Sequence, residues 1–135
     1  MKAITKAAIA EVYNCHTLIE EWFNGSKNAT PELLNRLLAK FSNSFSMINP
    51  NGNQLAFKDL KTFLSQMYGA RVGVKIEVTQ PIIIHEADNI CVLQYAEIQH
   101  LPDKKLHRLS TAIFVSDDAD SVLWRHLHET WHHNK

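Results

Sequence analysis

The chain has 135 residues, of which 45% are hydrophobic and 21% charged. That length and apolar fraction predict one compact domain over residues 1–135 and exclude a disordered tail protein. Fourteen Lys and Arg balance fourteen Asp and Glu, so no large basic surface is available to neutralise phosphates, and nucleic acid is not an expected partner. No apolar run approaches the ~18 residues needed to cross a bilayer, so no membrane partner is expected either. The two cysteines, Cys15 and Cys91, lie far apart with no secretory signature before them, which predicts a cytoplasmic protein with free thiols.

In chain order, Ile4, Ala8, Val12, Cys15, Ile19 and Trp22 recur at steps of three or four. That spacing predicts a helix with one apolar stripe, ended at Asn24-Gly25 by a left-handed cap. Thr30-Pro31 supplies an N-cap and a first helical position for a second helix carrying Leu33, Leu34, Leu37, Leu38 and Phe41. From Ser42 the period changes to two, which predicts a half-buried strand reaching the Pro50-Asn51-Gly52-Asn53 turn. A third helix is predicted through Phe57, Leu60, Leu64 and Met67, stopped at Gly69. Four β-rich runs follow: 72–85, 90–101, 105–116 and 122–132. Turn-rich breaks at 86–89, 102–103 and 117–120 separate them. Helices first and then a meander predict an α+β fold, the helices packed on one face of a curved antiparallel sheet.

The short turn at Pro102-Asp103 fixes a register. If Leu101 pairs with Lys104, then Glu97 faces Arg108, Tyr95 faces Ser110 and Gln99 faces Leu106, all on one face of the sheet. The longer turn after Ser116 is read as pairing Phe114 with Trp124, Ala112 with His126, Ser110 with His128 and Arg108 with Thr130, a register that a slip of one residue would invert. On this reading Tyr95, Glu97, Gln99, Arg108, Ser110, His126, His128 and Thr130 share one face, while Val92, Ala96, Ile98, Leu109, Ile113, Leu127 and Trp131 form the other. Buried polar groups must be satisfied. The row is therefore either a structural Glu97-Arg108 ion pair with bonded neighbours, or the lining of a pocket in which Glu97 and His128 are candidate catalytic groups and Tyr95, Gln99, Arg108, Ser110, His126 and Thr130 bind ligand. Tyr13, Trp22, Phe45 and Met47 are candidates for its apolar wall.

His128-Glu129-Thr130-Trp131-His132 also fits the H-E-x-x-H pattern of zinc peptidases, which works only on a helix. The predicted strand would separate His128 from His132 by about 13 Å. No metal or cofactor is assigned.

The runs Tyr95-Ala96-Glu97-Ile98-Gln99, Arg108-Leu109-Ser110-Thr111-Ala112-Ile113-Phe114 and Trp124-Arg125-His126-Leu127-His128-Glu129-Thr130-Trp131 resemble a small bacterial branch of the nuclear transport factor 2-like superfamily. That branch is similar to the SnoaL-like proteins and to the association domain of calcium/calmodulin-dependent kinase. The resemblance implies a cone-shaped barrel with an internal pocket between the first helix and the concave sheet. It also implies a homodimer through the sheet's outer face, to which Val92, Ile98, Ile113, Leu127 and Trp131 would contribute. Steroid-isomerase and dehydratase members use a pocket Asp or Asp-His pair, whereas Asp88, Asp103, Asp117, Asp118 and Asp120 all fall in predicted turns here. Glu97 and His128 are left as the acid/base groups. The fold hosts isomerases, dehydratases and cyclases as well as non-enzymatic modules, and the sequence does not choose between an enzyme and a binding or oligomerisation module for a small organic molecule.

Overall fold

A computed structural model describes residues 1–27, 30–117 and 121–132. Helix α1 spans Ala3–Asn24 and buries the predicted stripe, with Ala8 and Val12 fully enclosed. Gly25 ends it with φ +66°, and its N–H returns to the Trp22 carbonyl. Helix α2, Pro31–Leu38, starts at Pro31, but the Thr30 side chain makes no capping bond. The helix stops before Phe41, which opens strand β1 instead: the ring of Phe41 stacks on Trp124 at 5.8 Å, and the Trp124 N–H bonds the Lys40 carbonyl at 3.0 Å. Tertiary pairing overrides the helical spacing there.

Strand β1 (Phe41–Ile48) turns through Gly52, φ +84°, into the short β2 (Gln54–Ala56). Helix α3, Phe57–Gln66, follows at once, its start fixed by Asp59, whose carboxylate accepts the Ala56 N–H at 2.8 Å. The predicted run 72–85 is two strands, β3 (Lys75–Val78) and β4 (Ile82–Glu86), divided before Pro81, which has no N–H to continue a ladder. Both pair with the same edge of β5 (Ile90–His100), β3 with one end and β4 with the other. Strands β6 (Lys105–Ser116) and β7 (Val122–Trp131) complete the meander. Of the predicted turn after Ser116, residues 118–120 lie outside the described residues.

The strand order is β2-β1-β7-β6-β5-β3, with β4 also on β5. One expectation is corrected: β1 runs parallel to β7, so the curved sheet is mixed rather than antiparallel, and it does not close into a barrel. A helix-bearing crossover from β1 back to the sheet is what allows that parallel pairing. The three helices cover the concave face, and the core lies between.

The β5–β6 register holds residue for residue, with Glu97 opposite Arg108, Tyr95 opposite Ser110 and Gln99 opposite Leu106. The β6–β7 register holds only near its turn, where Phe114 faces Trp124. Between Ile113 and Phe114 the ladder shifts, and Arg125 is the extra residue of a bulge. The β1–β7 ladder is irregular at the same level, and the Arg125 guanidinium donates to the Ser44 carbonyl at 2.7 Å, tying the two distortions together. Beyond the bulge every β7 side chain changes face. Ala112 therefore meets Leu127, Ser110 meets Glu129 and Arg108 meets Trp131, where His126, His128 and Thr130 were expected.

Candidate functional site

The concave face is graded along the strands. At one end the cross-strand row Cys91, Phe114 and Trp124 is apolar and buried, followed by Leu93, Ala112 and Leu127. The next rows are polar: Tyr95, Ser110 and Glu129, then Glu97, Arg108 and Trp131. Helix α1 crosses this face with Cys15, His16 and Ile19, and α3 adds Leu60 and Leu64. Between them is a cavity of about 120 Å³. Phe63, 42% exposed, and the half-buried Arg71 are also among its lining residues.

Glu97 is buried and pairs with a residue the sequence reading did not single out. His16 Nε2 lies 3.0 Å from Glu97 Oε1, while His16 Nδ1 lies 2.6 Å from the Val12 carbonyl. Both imidazole nitrogens meet acceptors, so the ring serves best with both protons on, as imidazolium against carboxylate. Burial opposes that charge, but Glu97 beside it outweighs the burial and raises the His16 pKa. In turn, burial pushes Glu97 upward, and the His16 charge and hydrogen bond, Arg108 and the Gln99 amide together bring it well below the usual carboxylate range. Gln99 Nε2 donates to Glu97 Oε2 at 2.6 Å, and Gln99 Oε1 accepts from Arg71, whose guanidinium lies over the Phe23 ring at 5.5 Å. A single chain of bonds thus runs from α1 through β5 to the segment after α3.

Arg108 faces Glu97 across the strands but does not close an ion pair with it, which corrects the structural Glu97-Arg108 pair considered above. Its Nη1 reaches Glu129 Oε1 at 3.4 Å and its guanidinium lies over Trp131 at 5.0 Å. Ser110 donates to Glu129 Oε2 at 3.3 Å. Burial and the neighbouring Glu97 charge raise the Glu129 pKa to about 7, against the pull of Arg108 and His16. Among the described residues, three buried side-chain donors have no partner: the Tyr95 hydroxyl, Arg108 Nε and Trp124 Nε1. Ser110 is near enough to Tyr95 to ease its ionisation slightly. Tyr95 nevertheless lacks hydrogen-bonding geometry to any group.

Of the residues singled out from sequence, Tyr95, Glu97, Gln99, Arg108, Phe45 and Met47 line the cavity. Ser110 lies behind Glu129, buried. Corrections concern the rest. His128 and Thr130 are exposed and His126 half-buried on the opposite face, where His126 Nδ1 meets the Ser46 hydroxyl at 2.7 Å. Leu127 lines the cavity and Trp131 packs on Arg108, so neither belongs to the outer face. Tyr13 is 40% exposed, and Trp22 is core, its indole N–H donating to the Leu64 carbonyl at 2.7 Å. The H-E-x-x-H match runs along strand β7 to its end, with His132 just beyond, and not on a helix, so the peptidase geometry does not form. Among the described residues no group of three or more His, Cys, Asp or Glu is placed to hold a metal.

Glu129, His16 and Arg71 were missed. His16 had a readable signal, standing four residues after Val12 and three before Ile19 on the buried stripe of α1. Glu129 was hidden by the bulge, and Arg71 reaches the cavity only through the packing of its loop.

Three helices laid over an open, curved sheet, with ionisable groups buried beneath them, define a protein of the cone-like α+β class. A nuclear transport factor 2-like protein of unknown function from Pseudomonas aeruginosa matches with TM-score 0.88 and 31% identity over 94% of this chain and 99% of that one. The chain belongs to the nuclear transport factor 2-like family. Two more distant structures share the fold alone. A candidate ketosteroid isomerase from Parabacteroides distasonis has TM-score 0.63 and 15% identity, covering 87% of this chain and 84% of that one. A candidate calcium/calmodulin-dependent protein kinase type II association domain from Thiobacillus denitrificans has TM-score 0.66 and 15% identity, covering 90% and 94%. No protein-family model and no curated protein matches the chain. No helix among the described residues is long and apolar enough to cross a membrane.

Proposed function

We propose that the chain is a small-molecule-binding protein whose ligand sits between α1 and the concave sheet. The observation that carries this reading is the cavity itself: about 120 Å³ with apolar walls at Phe45, Met47 and Leu127, unsatisfied donors from Tyr95 and Arg108 at its polar end, and a third from Trp124 at the apolar end. Native interiors leave few voids and few unpaired buried donors, and both occur here in one place. The volume falls below the ~300 Å³ of pockets for drug-sized ligands, so the occupant is compact. A thermal-shift screen of small acids, amides and alcohols tests the reading. A binder at a hundredfold its Kd adds about 2.7 kcal/mol and raises the melting temperature by several degrees. Cys15→Met, which extends a buried side chain into the cavity, should abolish that rise while the fold persists. A blank screen, or a rise that survives Cys15→Met, overturns it.

Catalysis is the second reading, and Glu129 favours it. A buried carboxyl whose pKa is raised to about 7 by burial and the Glu97 charge is matched to proton transfer at neutral pH. It takes the role first given to His128, with Glu97 and His16 as its fixed electrostatic surroundings. An isomerase-type reaction without cofactor would lose activity in Glu129→Gln at unchanged ligand affinity, and equal turnover by that variant overturns it.

Two further expectations belong here. Val92, Ile98 and Ile113, with Leu109 at 38% exposure, leave an apolar stripe on the outer sheet face, which supports a homodimer through that face. A monomer in sedimentation at micromolar concentration overturns it. Both cysteines are free and buried, which supports a cytoplasmic location, tested by cell fractionation.

A further inference from the structure

The charges around the cavity do not balance. His16, Arg71 and Arg108 face two carboxylates, Glu97 and Glu129. Glu97 is fully engaged by His16 and Gln99, whereas Glu129 receives only a long contact from Arg108 and a bond from Ser110. Burial, and after it the nearby Arg108 charge, disfavour the charge on Arg71. Two donors stand without acceptors on neighbouring strands: the Tyr95 hydroxyl, on a residue 3% exposed, and Arg108 Nε. Tyr95 and Arg108 are diagonal neighbours on one face of the β5–β6 ladder, within common reach of one small group.

Resting on the reading of this cavity as a ligand pocket, we propose that its occupant is a small organic anion, a short-chain monocarboxylate. One carboxylate oxygen takes Arg108 Nε–H, the other the Tyr95 hydroxyl, and the hydrocarbon tail lies along Phe45, Met47 and Leu127. A carboxylate supplies the missing negative charge and the missing acceptors together, and a guanidinium is the side chain best shaped to take it. A neutral amide supplies acceptors but leaves the charge uncompensated. Water fills the acceptor role alone.

The pH response follows from the groups that face Glu129: Arg108 and Ser110 on β6, Glu97 and Tyr95 on β5, Cys15 and His16 on α1, and Arg71 after α3. Loss of the Glu129 proton adds a negative charge beside Arg108, and loss of the His16 proton removes a positive one. Both weaken an anion, so affinity falls as pH rises.

The experiment is calorimetric titration with sodium butyrate, and with butyramide as the neutral isostere, at pH 6 and pH 8. Butyrate is expected to bind, several-fold more tightly at pH 6, and butyramide at least tenfold more weakly. Glu129→Gln should bind butyrate with a smaller loss of affinity between pH 6 and pH 8 than the parent, the remainder being the part due to His16. Tyr95→Phe, which keeps the ring and every charge, should weaken butyrate several-fold. Arg108→Gln should abolish its binding. Butyramide binding as tightly as butyrate, or butyrate affinity that rises with pH, overturns the anion and leaves the pocket standing. Failure of both probes while neutral compounds succeed in the thermal-shift screen does the same. Failure of every compound removes the pocket reading with it.

Discussion

Ser110 stands opposite Glu129 on the β6–β7 ladder, one residue from the histidine that the turn alone would place there. The difference is Arg125, the bulge residue, and it decides which chemistry faces the helices. With the regular register the cavity would hold three neutral or weakly basic groups from β7. With the bulge it holds a carboxyl and two apolar side chains.

His128→Ala is therefore expected to change little. The side chain is exposed and on the convex side, so the unfolding free energy should stay within about 0.5 kcal/mol of the parent, as for other surface substitutions. Ligand-induced thermal shifts should be unaltered. A loss of binding in this variant would place the site on the wrong face.

His16→Ala removes the partner of a buried carboxylate. Breaking such a pair costs about 3–5 kcal/mol because the remaining charge is uncompensated, which urea unfolding measures directly. The pH window has two edges. His16 has a raised folded pKa, so its contribution is complete below its ordinary value of 6.5 and is lost as pH rises through the folded value. Glu97 has a lowered one, so its contribution is complete above 4.5 and lost as pH falls through about 2. The parent should exceed His16→Ala in stability most between those edges, and a gap independent of pH would rule out an ion pair.

Glu129 runs in the opposite sense from Glu97. Its folded pKa, about 7, lies above the ordinary 4.5, so the folded state holds a proton that the unfolded chain releases. Stability falls as pH rises from about 4.5 through about 7. The loss attributable to this carboxyl is roughly 3 kcal/mol, since a tenfold difference in proton affinity is worth about 1.4 kcal/mol. Glu129→Gln cannot ionise and should flatten the profile of chemical unfolding between pH 5 and pH 8. An unchanged slope would mean that Glu129 ionises freely.

Much of this was legible from local pattern. The Asn24-Gly25 stop, the Asn51-Gly52 turn and the whole β5–β6 register follow from helical spacing and a two-residue turn, because those signals act over a few residues. The parallel β1–β7 pairing was not, since it joins segments about eighty residues apart and leaves no local mark. The bulge at Arg125 was equally silent: the contact that goes with it is to the Ser44 carbonyl on another strand. The His16–Glu97 pair lay between. Each residue sat at a buried position, but neither pattern named the other.

The approach of Gly25 to Gly69 positions Arg71. At the C-terminal end of α1 the Trp22 carbonyl accepts the Gly69 N–H and the Phe23 carbonyl accepts the Arg71 N–H, both at 3.0 Å. That docking brings the 67–73 loop against the helix and Arg71 to the cavity. Both glycines have φ +66°, but their surroundings differ: a Cβ on Gly25 would lie 2.9 Å from the Gly69 Cα, while one on Gly69 would lie 3.7 Å from the Gly25 Cα. Gly69→Ala therefore meets only the left-handed backbone penalty, roughly 1 kcal/mol. Gly25→Ala adds a backbone clash that only movement of the loop relieves, for a total of roughly 2–3 kcal/mol. Gly52→Ala, with φ +84° and open space around it, is the control for the backbone penalty alone. Thermal unfolding should rank Gly25→Ala well below the other two, and butyrate affinity should drop in Gly25→Ala, since Arg71 moves with its loop. Equal destabilisation of all three variants would show that the loop accommodates the methyl group and that the close approach has no part in placing Arg71.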